Sequence, residues 1–248
     1  VTKWFRKPEV IMMATTFGAF ETIHAEAYSL LNETLGLENF AEFMEDEATM
    51  AKIENLTAVR DSFNGEKDIH EIAKSLAIFS AFTEGVNLFS SFAVLLSFKM
   101  QNKLKGVGQI VEWSIRDESL HSEAGCWLFR TLIAENPNIK TPELEAAINE
   151  AALLSLQLEL DFIEKVYELG DLEGCSKYDL INFIKNRVNT KLGDLGYNPI
   201  IGDVDMNAVN NMKWFDALSA GKQHTDFFAS RVTNYAKGTK DWDAATLF

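Results

Sequence analysis

Two cysteines in 248 residues are too few for a disulfide framework, and neither Cys126 nor Cys175 stands in a C-x-x-C pair. A reducing, intracellular setting follows as the expectation, with the cytoplasm as the compartment. Basic residues are also scarce: 23 Lys and Arg against 37 Asp and Glu leave a formal charge of −14. A surface of that sign argues against nucleic acid or an anionic membrane as the main partner. No apolar run can span a bilayer uninterrupted, since the longest, 78–98, is broken by Thr83, Glu84, Gly85 and Asn87. No signal peptide is visible, and no Gly-rich loop of the kind that cradles phosphates. No segment alternates apolar and polar residues between turns, so strands are not expected.

What is present is a chain 47% hydrophobic, long enough to bury a substantial core, and patterned throughout for helices. The class read from this is all-α. Pro8 suits the first turn of a helix, which should run to about residue 35 with Gly36 as its stop. A second pattern covers 39–62 and ends at the turn Asn64-Gly65. The longest helical segment should run from 67 to 103, so apolar in its second half that it must be central, with Gly85 as a local irregularity. Residues 105–108 read as a connection, 109–134 as the next helix, and Asn136-Pro137 as its end. Thr141-Pro142 caps a helix reaching 169, and Ser176 caps another ending near 193. Shorter helices are expected over 208–218 and 226–235, and 236–248 has no period and reads as a mobile tail.

Within this pattern, chemistry-bearing residues recur at one spacing. Glu21 stands three residues before His24, and Tyr28 follows one turn later, so all three share a helix face. Glu118 stands three residues before His121 in a second copy, and Glu84 lies between them inside the most apolar run. The chain has four histidines, and two carry this partner among apolar neighbours such as Phe17, Phe20, Ile115 and Leu120. A Glu in such surroundings is rarely buried unless paired or bound to metal. Two Glu-x-x-His pairs from two helices with single carboxylates from others form the ligand set of a carboxylate-bridged di-metal site in a helical bundle.

These residues, in this order, resemble the small, radical-generating subunit of class I ribonucleotide reductase. The likeness rests on Glu21-x-x-His24-x-x-x-Tyr28, on Glu84, on Arg116-Asp-Glu-x-x-His121 and on Tyr197-Asn-Pro199. It implies a ferritin-like helical bundle over 1–235 and a flexible C-terminal tail over 236–248. It implies Glu21, His24, Glu84, Glu118 and His121 as ligands of two iron ions, of manganese with iron, or of two manganese ions. Asp117 would hold the His24 imidazole, and Tyr28 would carry the radical after reaction with molecular oxygen. Leu88 and Phe92 are candidates for the dry wall around it, with Ser114 a polar departure. A homodimer is implied, together with a large (alpha) subunit that docks the tail and performs the reduction. Tyr235, or alternatively Trp242, would relay the radical. No nucleotide site is expected in this chain.

One part of the pattern is missing. The family takes a first carboxylate from a helix preceding the one that carries Glu21, and Glu9, twelve positions earlier on the same helix, is roughly 18 Å away. The expectation is therefore a sequence lacking its N-terminal part, with metal held incompletely. A ferritin-type store or di-iron oxygenase would also use two Glu-x-x-His pairs, but would not require Tyr28. A metal-free radical protein would show substituted ligands, and a helical interaction module would leave its Glu and His pairs solvated.

Overall fold

Helix ends are set where the side chains can satisfy them. In the computed structural model, which describes residues 1–37, 45–62, 64 and 68–219, α1 spans Pro8–Leu35 with Pro8 in its first turn. Gly36 closes it at φ 65°, a left-handed conformation that favours glycine, and the Gly36 and Leu37 N–H groups return to the carbonyls of Glu33 and Asn32. Asp46 caps α2 (Glu47–Asp61) by accepting from Thr49 N–H, and Asp68 caps α3 (Ile69–Ala77) by accepting from Glu71 N–H. A π-helical segment, Ile78–Thr83, leads through a turn into α4 (Phe89–Met100). Then come α5 (Lys105–Glu135), α6 (Pro142–Tyr167, capped by Thr141) and α7 (Lys177–Leu195, capped by Ser176). Two short helices follow, α8 (Met206–Asn211) and α9 (Lys213–Ser219). Among the described residues there is no sheet strand, and the chain is all-α.

Three expectations are corrected. The single helix over 67–103 is interrupted, because the chain widens into the π segment and unwinds past Glu84 before α4 begins. Residues 105–108 belong to α5, since the turn is made earlier by Asn102 and Leu104, both at positive φ. The second helix begins at Glu47 among the described residues, where Asp46 supplies the cap. The helix expected over 226–235 and the tail lie outside the described residues.

The core gathers around α5, which packs against α1, α3, α4, the π segment, α7 and α9. Its inward face contributes Val111, Ile115, Cys126 and Phe129, while Phe82, Phe89 and Phe215 arrive fully buried from its neighbours. Each large apolar side chain so enclosed stabilises the fold by roughly 1.5–3 kcal/mol. By contrast α1 lies on the outside, packed chiefly on α5, with Val10 as its buried residue. No helix of the described residues is long and apolar enough to cross a membrane.

Candidate metal centre

The two Glu-x-x-His helices, α1 and α5, lie side by side, and the break after the π segment faces both. Glu21, Glu84, Glu118 and His121 each offer a ligand atom within 4.8 Å of the others. His121 Nδ1 stands 3.1 Å from Glu21 Oε1, 3.3 Å from Glu118 Oε2 and 3.7 Å from Glu84 Oε2. His24 Nδ1 lies 3.2 Å from Glu118 Oε1 and 3.6 Å from Glu21 Oε2. On its other side His24 Nε2 is 3.0 Å from Asp117 Oδ2, a contact that fixes the ring and directs Nδ1 toward the carboxylates. The five candidate ligands and Asp117 thus lie together at one place between α1, α5 and the break. Tyr28 is close by and donates its phenolic hydrogen to Ser114 Oγ at 2.9 Å.

The position of Glu84 depends on the irregular backbone. Glu84 N–H bonds the carbonyl of Phe79, five residues back, which is the π pattern and turns the side chain away from where a regular helix would carry it. Gly85 allows the chain to pass here. A Cβ at that position would lie 2.7 Å from Ser122 Oγ and 2.8 Å from Lys191 Cδ, and closer still to the Ala81 carbonyl. Phe17 and Phe20 cover His121, with ring centroids 4.3 and 5.9 Å from the imidazole. A cavity of about 300 Å³, walled by Met13, Phe17, Phe79 and Leu128, opens onto Glu21, Glu84 and His121.

Three carboxylates and two imidazoles in so small a space need positive charge. Burial lowers the His121 pKa, but hydrogen bonds to Glu118, Glu21 and Glu84 outweigh it and hold the imidazole up at about 11. Burial raises Glu118 to about 7, with the charges of Glu84 and Glu21 adding to it and the His121 contact opposing it. Glu21 moves the other way, held below its ordinary value chiefly by its hydrogen bond to His121. Glu118 Oε2 is buried with the His121 Nδ1 contact at 3.3 Å too poorly aligned to use it fully, which leaves this oxygen a lone pair to give. A donor set of carboxylate oxygens and imidazole nitrogens with such an atom fits iron or manganese.

One expectation about burial is corrected. The Glu21 side chain is 53% exposed, because α1 is covered on one side only, whereas Glu118 is 6% exposed. Of the proposed wall, Phe92 is buried on α4 and Leu88 is half-buried in the turn after Glu84. Ser114, noted for its polarity, is the hydrogen-bond partner of Tyr28. No further carboxylate joins the cluster among the described residues. Tyr235 and Trp242 lie outside them.

Comparison with known proteins agrees with this geometry. Residues 1–207 match the family model described as "Ribonucleotide reductase, small chain". A protein of Invertebrate iridescent virus 3 named as a ribonucleoside-diphosphate reductase small subunit is 37% identical, over 96% of this chain and 67% of its own length. The ribonucleoside-diphosphate reductase subunit beta of Chlamydia pneumoniae is 26% identical, over 90% of this chain and 66% of its own. Among solved structures, dimanganese(II)-NrdF of Streptococcus sanguinis superposes with a TM-score of 0.70 at 22% identity, covering 85% of this chain and 72% of that one. The ribonucleotide reductase R2 subunit of Clostridium botulinum gives 0.68 at 23% identity, covering 81% and 63%. At such identities these two structures speak for the fold.

Proposed function

Because the chain belongs to the ribonucleotide reductase small-chain family, we propose that its α1–α5 cluster supplies ligands to a two-metal site that makes a radical on Tyr28. The observation that carries this reading is the meeting of Glu21, Glu84, Glu118 and His121 within 4.8 Å, with His24 pinned beside them by Asp117. Glu21, His24, Glu84, Glu118 and His121 would hold the ions, as iron, manganese or one of each. A relative by fold is described as dimanganese(II), which supports manganese as one candidate. When bound, such a pair supplies the electrons that reduce molecular oxygen and the oxidising power to withdraw one from a nearby phenol.

The chain's own residues do the rest. Asp117 holds His24 in one tautomer and orientation, so its Nδ1 meets the centre without reorganisation. Phe17 and Phe20 shield His121 from water on the α1 side. The hydrogen bond to Ser114 Oγ holds the Tyr28 phenolic proton in one orientation, so the group that would be oxidised is fixed in place. Burial, ahead of the opposing Ser114 contact, raises the Tyr28 pKa above its ordinary value, so the residue waits as a neutral phenol.

The radical would serve a separate large subunit, which reduces ribonucleotides to deoxyribonucleotides in the cytoplasm. Docking through 236–248 and relay through Tyr235 belong to this proposal. A homodimer is supported by the exposed apolar residues Trp113, Leu120 and Trp127, seven residues apart on α5, and by the exposed Ile23 and Leu30 on α1. The test is electron paramagnetic resonance after loading with metal and oxygen. A Tyr28→Phe protein is expected to keep its metal and lose the tyrosyl signal; a full signal in that variant would refute the assignment.

A further inference from the structure

The break that presents Glu84 leaves two backbone groups without helical partners. In a regular helix the Gly85 carbonyl would accept from Phe89 N–H, but that N–H bonds Val86 instead. At the start of α4, Leu88 occupies the N-cap position and its side chain caps nothing, so the Ser90 N–H needs a partner from elsewhere. Both needs are met by charged side chains from neighbouring helices. Arg187 on α7 donates its Nε hydrogen to the Gly85 carbonyl, with its guanidinium over the Phe89 ring. Glu159 on α6, fully buried, accepts the Ser90 N–H at 3.2 Å and the Ser90 hydroxyl. Lys52 on α2 stands 2.5 Å from the other oxygen of Glu159, its ammonium over the Phe162 ring.

This arrangement is costly unless it serves something. Glu159 has no exposed surface, and burial, ahead of the opposing Lys52 charge and Ser90 hydrogen bonds, raises its pKa. An apolar pair would pack α6 against α4 without that penalty. What a carboxylate and a guanidinium add is direction, since one accepts only and the other donates along fixed axes. The two anchors lie on either side of residues 86–89, and Glu84 immediately precedes the first.

We infer that Arg187 and Glu159 are positioning residues that clamp the helix break from both sides and thereby set where the Glu84 carboxylate stands in the cluster. The inference rests on the proposed metal-binding role of Glu84, and its test separates the two. Hydrogen exchange at Val86, Asn87 and Ser90 in the metal-free protein reads the clamp alone. Cobalt(II) added alone, followed by its visible bands, reads the geometry of the site.

In Arg187→Met the amides of 86–90 are expected to exchange at least about tenfold faster, and cobalt(II) to bind about tenfold more weakly with altered bands. Arg187→Lys, which restores a cation beside the Gly85 carbonyl, is expected to recover most of the affinity and the parent bands. Lys177→Met, on the same helix but paired with Glu164 at the surface, should change neither. Should Arg187→Met fail to fold, Glu159→Gln carries the test, since it keeps the shape and an acceptor for Ser90; a smaller loss in the same direction is expected. Parent cobalt(II) affinity and bands in a folded Arg187→Met or Glu159→Gln protein would overturn the inference. Parent protein that takes up no cobalt(II) would overturn the metal reading, and the clamp's link to a ligand with it, while the exchange rates still decide whether the clamp exists.

Discussion

The two Glu-x-x-His copies have the same spacing and opposite surroundings. On α1, Glu21 is half exposed and Val10 is the helix's buried residue; on α5, Glu118 and His121 are buried among a continuous apolar face. The consequence is electrostatic. Glu21 sits below its ordinary pKa because His121 pairs with it, and Glu118 rises to about 7 because burial and its carboxylate neighbours outweigh the same pairing. The histidines differ as well, His24 being held from behind by Asp117 while His121 Nε2 is buried without a hydrogen bond. Spacing decides which side chains share a face. How firmly each can hold an ion depends on what packs around the helix.

Glycine substitutions should expose that contrast most strongly in stability. A Cβ at Gly125 on α5 would collide with the Oγ and Cβ of Ser80, whereas at Gly18 on α1 nothing lies within 4 Å. Gly125→Ala is therefore expected to destabilise by about 2 kcal/mol through overpacking. Gly18→Ala should stabilise by roughly 0.5–1 kcal/mol through helix propensity. Thermal unfolding of the two variants checks both signs, and two losses of equal size would erase the distinction between the helices.

A smaller effect is expected where the copies meet. Asp117→Asn leaves the His24 ring in place but weakens its hold on the tautomer, and should lower metal affinity about tenfold, or about 1.4 kcal/mol. Metal titration reads this directly, and unchanged affinity would mean that α1 orients His24 without Asp117. Smaller still is a pH effect at Cys126, about one and a half turns past His121 on α5. Burial pushes the Cys126 thiol from 9.0 up to about 11, so between those values the folded chain keeps a proton that the unfolded chain releases. The sign follows: this contribution to stability is fully present below pH 9 and is lost as the pH rises toward 11. Urea unfolding at pH 8 and pH 10.5, with Cys126→Ala as the reference, should show the parent losing more stability than the variant.

Much of the bundle could be read from local signals. Pro8 and Gly36 mark the ends of α1, and Thr141 and Ser176 cap α6 and α7 where their side chains lead one to expect. The candidate ligands were legible because a helix converts spacing into direction. Three features were not. The π segment Ile78–Thr83 is as apolar as an ordinary buried helix, so only Gly85 hinted at it. Arg187 and Glu159 look like solvated charges in helical sequence, because nothing local tells that a backbone break will come to them. The exposure of Glu21 depends on how many neighbours α1 acquires, a property of the assembly and not of its own pattern.

Manganese(II) binding tests the account at its centre, because free aqueous manganese(II) gives an electron paramagnetic resonance signal that is lost as the ion is taken up. Titrated side by side, the parent protein is expected to remove manganese(II) from solution. Glu118→Ala should lower the affinity by roughly a hundredfold or more, since a buried ligand is lost, and Glu21→Ala, at the exposed copy, by about tenfold. Equal binding by the parent and Glu118→Ala proteins would contradict the assignment of this cluster as the metal centre.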